Sequence, residues 1–89
     1  PAADLPLILA VASIYRDRPI PATLAAIGEV GLTGEVRAVN HLSQRLQEVS
    51  RLGFTQCVIP RYGSDKTEIP EGLEVFRVRN IREAIEFAL

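Results

Sequence analysis

The chain has 89 residues, 47% of them apolar, with ten basic side chains against eleven acidic ones and a formal net charge of −1. That suffices for one compact domain with a small core and leaves no room for a second. Near-neutrality excludes a chain-wide electrostatic footprint for nucleic acid, so any polyanion site has to be a local patch. The single cysteine, Cys57, excludes an internal disulfide framework and any multi-cysteine zinc site, and it suits a reducing compartment such as the cytoplasm.

In chain order, Asp4 stands where it would cap a helix running to about residue 15, with Pro6 in the first turn, where a missing N–H costs little. The apolar run over residues 5–15 is broken only by Ser13, yet it falls short of the ~20 residues a bilayer span needs. No basic segment stands before it as in a signal peptide. Apolar nearly all round, this helix is expected to be covered by more than one layer. After the polar break "RDRPIP", residues 24–30 and 36–39 read as strands joined through Gly31, Leu32, Thr33 and Gly34, a hairpin signal. Leu42, Leu46, Val49 and Leu52 then repeat at helical spacing, with Gly53 at the stop. A short strand over 56–59 follows, expected to lie parallel beside strand 36–39 through a right-handed crossover. Residues 60–72, "PRYGSDKTEIPEG", form one long turn-rich loop, and 73–78 read as a strand. Asn80 with Glu83 resembles a capping box for a last helix striped by Ile81, Ala84, Ile85 and Ala88.

Few residues offer chemistry. "GEVGLTGEV" is glycine-rich, but a P-loop needs G-x-x-x-x-G-K-[ST], and here Glu29 and Glu35 approach the turn with no lysine. Turn chemistry therefore accounts for the glycines. A nucleophile needs a hydroxyl or thiol beside a base. Ser13, Ser43 and Ser50 fall on helices, and Ser64 falls in the long loop near Lys66, the sole lysine. Asp65 and Glu68 flank that lysine and hold it charged, which disqualifies it as a base. His41, the only imidazole, has no ligand at metal spacing and reads as a helix-start residue making local hydrogen bonds. Cys57 reads as a buried, inert thiol.

Nine of the ten basic residues are arginine. Arg16 and Arg18 follow the first helix and can serve its C-terminal carbonyls. Arg77 and Arg79 share a strand face, while Arg45 and Arg51, six apart on a helix, do not. Glu48, Glu74, Glu83 and Glu86 make a solvated charge layer the plain reading. Arginine is also the residue suited to phosphate and intersubunit contacts.

From "DRPIP" through "GEVGLTGEVRAV", the helix "HLSQRLQEVSRLGF" and the strand "CVIP", the chain resembles the C-terminal part of the Lon-type proteolytic domain. "AADL" in the opening turn and "QRL" after the hairpin make it most similar to the version carried by the bacterial RadA (Sms) DNA-repair family, and the likeness continues through "EGLEVFRVRNIREAIEFAL". The resemblance implies an α/β fold, a hairpin plus βαβ units with packed helices. It also implies a single partial domain over residues 1–89, lacking the first strands. Sheet edge and apolar helix surface would then await another copy or sequence outside the chain.

Lon proteases use a serine nucleophile with a lysine base. On this likeness Ala2 occupies the serine position and Ser43 the lysine position, so neither attack nor proton abstraction is provided. The RadA resemblance implies a parent with a zinc motif and a RecA-like ATPase using ATP and magnesium, none of whose motifs is in these residues. It further implies a hexameric ring, contact with the backbone of single- or double-stranded DNA, branch migration in recombinational repair, and no membrane. Arg45, where Lon proteases carry a second lysine, is the first candidate for DNA contact, followed by Arg16 and Arg18. Two other readings stand beside this one: a hydrolase with a displaced nucleophile such as Ser64 or Cys57, and a scaffold for oligomerisation only.

Overall fold

The computed structural model describes residues 2–89. In chain order they form α1 (Asp4–Arg16), β1 (Leu24–Ala26), β2 (Glu29–Val30), β3 (Val36–Arg37), α2 (Leu42–Arg51), β4 (Gln56–Pro60), β5 (Glu74–Val78) and α3 (Ile81–Ala88). Strands β1, β4 and β5 make a parallel sheet in the order β1-β4-β5, and β2 and β3 make a separate antiparallel hairpin. This is the α/β architecture implied by the resemblance.

The central strand β4 reads as a continuous apolar run because both its faces are covered. Val58 points into one cluster with Leu5 and Leu9 of α1, Leu24, Val36, Val78, and Ala84 and Ala88 of α3. Cys57 and Ile59 point into the other, with Ile27, Leu73, and Leu42 and Leu46 of α2. Helices α1 and α3 thus cover one face of the sheet and α2 the other, as alternation along a strand requires.

Residues 24–30 do not make one strand. The ladder with β4 runs from Leu24↔Gln56 to Ala26↔Val58, and the Ile27 N–H still donates to Val58 O at 2.9 Å. The chain then turns at Gly28, whose N–H donates to Ala2 O at 3.1 Å and whose carbonyl accepts from Leu5 N at 3.0 Å. A β-carbon on Gly28 would lie 2.9 Å from Val36 Cγ1, so close packing requires glycine there. The parallel neighbours of β4 are consequently β1 and β5 and not the strand at 36–39, which pairs with β2 and, through Val36 N, with Arg79 O. Only Val36–Arg37 of that segment is extended and paired.

The hairpin turn is held by one carboxylate. Glu35 accepts from Thr33 N at 3.1 Å and Thr33 Oγ1 at 2.7 Å, and from Arg37 Nη2 at 3.0 Å. Those bonds, Thr33's first among them, lower its pKa to about 2. The glycines therefore serve the turn: Gly34 takes φ 84° and donates to Gly31 O at 3.0 Å. Because the folded carboxyl is depressed below its ordinary value of 4.5, its contribution is present above that pH and lost as pH falls through about 2. An NMR titration is expected to place the Glu35 midpoint near that value, and a midpoint at the ordinary value would mean the turn lacks these bonds.

Helix boundaries differ in detail from the sequence expectation. Asp4 does not cap α1; Ala3 is the cap residue and Asp4 lies in the first turn, its Oδ2 accepting from Val30 N at 3.2 Å. The helix is tied to the hairpin by that bond. At its other end Asp17 takes the left-handed conformation, φ 53°, with Asp17 N donating to Ile14 O and Arg18 N to Ser13 O, a Schellman closure. Arg18 does not serve the α1 carbonyls; its Nη1 donates to Leu89 O at 3.0 Å. Nor is α1 covered all round. Leu5 and Leu9 are buried, while Leu7, Val11, Ile14 and Tyr15 are 58 to 91% exposed.

His41 precedes α2 with φ 60°, and its imidazole makes no capping bond, contrary to the local role expected of it. The cap of α3 does form: Asn80 Oδ1 accepts from Glu83 N at 2.9 Å, and Glu83 Oε1 accepts from Arg79 N at 2.6 Å.

Candidate functional site

Because Gly28 draws the Ala2 carbonyl onto the end of β1, the opening turn is held against α2. A groove of about 350 Å³ results, lined by Ala2, Ala3 and Pro6, by Ala26 and Ile27, and by Arg45, Glu48 and Val49 of α2. Its floor is apolar. Among the described residues, the charged groups on its walls are Arg45 and Glu48, one helical turn apart on α2.

Their charges are not paired with each other. Glu48 is bound by Arg51, through Arg51 Nε at 2.9 Å and a close Nη2 contact, which lowers the Glu48 pKa and raises that of Arg51. Arg45 Nε donates to the Asn40 carbonyl at 2.8 Å, which fixes the guanidinium at the start of α2. Its terminal nitrogens have no intramolecular partner among the described residues. Among the described residues, Arg45 is therefore the available cation of this groove.

Ser43 is half-buried on α2 and is not among the groove's lining residues. Ala2 presents a methyl group there, and Glu48 and Arg45 are the acidic and basic residues among the described lining residues. Such a surface can bind and orient; its carboxylate, Glu48, is engaged by Arg51, and no hydroxyl or thiol is among its lining residues.

The other candidate arginines lie elsewhere. Pro6 borders the groove, and Arg16, ten residues further along α1, lies about 15 Å away by helix rise, in the wall of a separate apolar depression with Leu7, Val11 and Tyr15. Arg18 is engaged with Leu89. The three arginines do not form one patch.

Neither displaced nucleophile has a base. Cys57 is fully buried and its thiol is pushed up to about 12 by desolvation. Ser64 is also fully buried; its hydroxyl donates to Arg61 O at 2.9 Å and accepts from Arg77 Nε at 3.1 Å. A guanidinium cannot take its proton. That Ser64–Arg77 latch was invisible in the sequence, where a serine in a polar loop reads as solvated. Among the described residues no group of three His, Cys, Asp or Glu side chains is placed to hold a metal ion, and no helix is long and apolar enough to cross a membrane.

The profile of the Lon protease (S16) C-terminal proteolytic domain matches residues 1–89. The chain belongs to that family. Within it, the chain is 45% identical over 89 residues to the DNA repair protein RadA of Listeria monocytogenes and 44% identical over 89 residues to that of Bacillus subtilis. It is 40% identical over 84 residues to the RadA of Escherichia coli. These alignments take in 100%, 100% and 94% of the chain but only 20%, 19% and 18% of the relatives, so the chain spans about a fifth of the length of the curated relatives it matches. The resemblance to the Lon-type domain, and within it to the RadA family, is shown by these matches over the whole chain.

Proposed function

We propose that this Lon-type domain is a non-catalytic assembly and DNA-contact module of a RadA-like ATPase acting in DNA repair and homologous recombination. One observation carries the reading: among its described lining residues, the groove beside the opening turn holds the methyl of Ala2, the outward terminal nitrogens of Arg45 and a Glu48 carboxylate engaged by Arg51, with no hydroxyl or thiol. On the Lon likeness Ala2 and Ser43 stand at the serine and lysine positions, so a site shaped for catalysis keeps its shape without its reactive groups. RadA-named relatives along the whole chain support the repair context.

In this reading the parent protein supplies ATP, magnesium and zinc sites, ring assembly and branch migration, in the cytoplasm. The present residues supply a docking surface and a backbone contact to single- or double-stranded DNA. Arg45 is the principal contact and Arg16 a second, distant one. Arg18 contributes less because Leu89 already engages it.

Phosphate contact without base readout has a defined signature. Arg45→Ala is expected to weaken binding equally across DNA sequences and to flatten log Kd against log salt by about one unit of slope. Fluorescence anisotropy over a salt series measures both. Unchanged affinity and slope would make Arg45 an ordinary surface charge.

A further inference from the structure

Among the described residues two that are not glycine take a positive φ, Asp17 at 53° and His41 at 60°. Asp17 closes α1, a place where the left-handed conformation is common. His41 stands instead before a helix, where a cap residue is ordinarily extended, and its φ of 60° with ψ of 37° costs conformational energy. The side chain does not account for that cost, since the imidazole is exposed and makes no capping bond. The backbone does.

Two successive carbonyls meet Arg45. The His41 carbonyl accepts from Arg45 N at 3.0 Å, and the Asn40 carbonyl accepts from Arg45 Nε at 2.8 Å. The plane of the peptide between Asn40 and His41 is set, relative to the helix, by the φ of His41. At an ordinary right-handed φ of about −60° that plane would stand roughly 120° away, and the Asn40 oxygen would leave the side chain. The left-handed turn is therefore what gives Nε its acceptor. Histidine is among the few non-glycine residues enriched in that conformation.

That bond also selects which edge of the guanidinium is offered. A guanidinium grips two oxygens either through Nε and one terminal nitrogen or end-on through both terminal nitrogens. Nε is taken by Asn40, while the terminal nitrogens have no partner among the described residues and Glu48 is held by Arg51. The end-on edge remains.

We propose that His41 is a positioning residue: its left-handed backbone aims the Asn40 carbonyl at Arg45 Nε and so holds the guanidinium end-on for the two non-bridging oxygens of one DNA phosphate. The inference rests on the DNA-contact reading above and names how that contact is prepared. A long side chain fixed before binding need not be immobilised during it, which is the advantage of preorganisation.

His41→Pro and His41→Gly separate the backbone from the imidazole. Proline fixes φ near −65° and removes an N–H that makes no backbone hydrogen bond among the described residues. Glycine removes the ring and accepts the left-handed turn. By NMR, Arg45 Nε–H is expected to be protected from exchange in the unsubstituted chain and in His41→Gly, and unprotected in His41→Pro. By fluorescence anisotropy, His41→Gly is expected to bind DNA as the unsubstituted chain does. His41→Pro is expected to bind roughly two- to tenfold more weakly, the entropy of ordering one long side chain, and to add no loss in the Arg45→Ala background. Far-UV circular dichroism checks the fold; if the proline variant fails to fold, His41→Val, β-branched and disfavoured at positive φ, decides. Three results overturn the proposal: His41→Gly weakening binding as much as His41→Pro, Nε–H staying protected in His41→Pro, or an equal loss from His41→Pro when Arg45 is already alanine. If Arg45→Ala alone leaves DNA binding unchanged, the DNA reading falls, whereas Nε–H protection reports the positioning by itself.

Discussion

Leu46→Ala is expected to lower the unfolding free energy by about 2–5 kcal/mol, the range for truncating a fully buried leucine where neighbours cannot collapse into the space. Leu46 is wholly inaccessible, and with Leu42 it is one of the two buried residues by which α2 holds the sheet. Against a total stability of about 5–15 kcal/mol for a domain of this kind, the loss is a large fraction. Urea denaturation should show a lower midpoint with an unchanged slope. The groove should suffer with the fold, since Arg45 and Val49 reach it only because Leu46 anchors their helix. A loss below about 1 kcal/mol would mean that α2 is loosely attached and that the groove is not a defined site.

The second large effect concerns Cys57. A thiol raised from an ordinary value of 9 to about 12 carries roughly a thousandfold less thiolate at neutral pH, before steric exclusion is counted. Iodoacetamide followed by mass spectrometry is expected to leave the native chain unmodified and to label it fully in denaturant. The same burial fixes a pH dependence. Between about 9 and about 12 the unfolded thiol has lost its proton while the folded one keeps it, so the stability from this group falls as pH rises through that window. Rapid stoichiometric labelling of the native chain, at Cys57 or by a serine-directed probe at Ser64, would restore the hydrolase with a displaced nucleophile.

How far the sequence could be read depended on the range of the interactions involved. The α3 cap, the hairpin turn and the amphipathic α2 rest on residues a few positions apart, and Asn80 with Glu83, Glu35 with Thr33, and Leu42 with Leu46 announce them. The strand over 24–30 was misread because its break at Gly28 is imposed from outside, by Ala2, Leu5 and Val36. The same distant partners moved the parallel neighbour of β4 from β3 to β1. Asp4 has the composition of a helix cap, but Val30, 26 residues on, claims it. At the site, it was the resemblance that singled out Ala2 in the opening turn, and the structure places its methyl in the groove. That Arg45, and not Ser43, lines the groove beside it follows from how α2 is rotated on the sheet, a matter of packing that no local pattern records.

The connectivity of the sheet has a kinetic meaning. Its ladders begin by joining Leu24 to Gln56 and Gln56 to Glu74, loops of 32 and 18 residues, whereas the hairpin joins Val30 to Val36 across only six. Ring-closure entropy must be met before either long loop returns a contact. The small two-stranded ribbon can therefore assemble early, and the chain acquires its central layer only when remote stretches find one another.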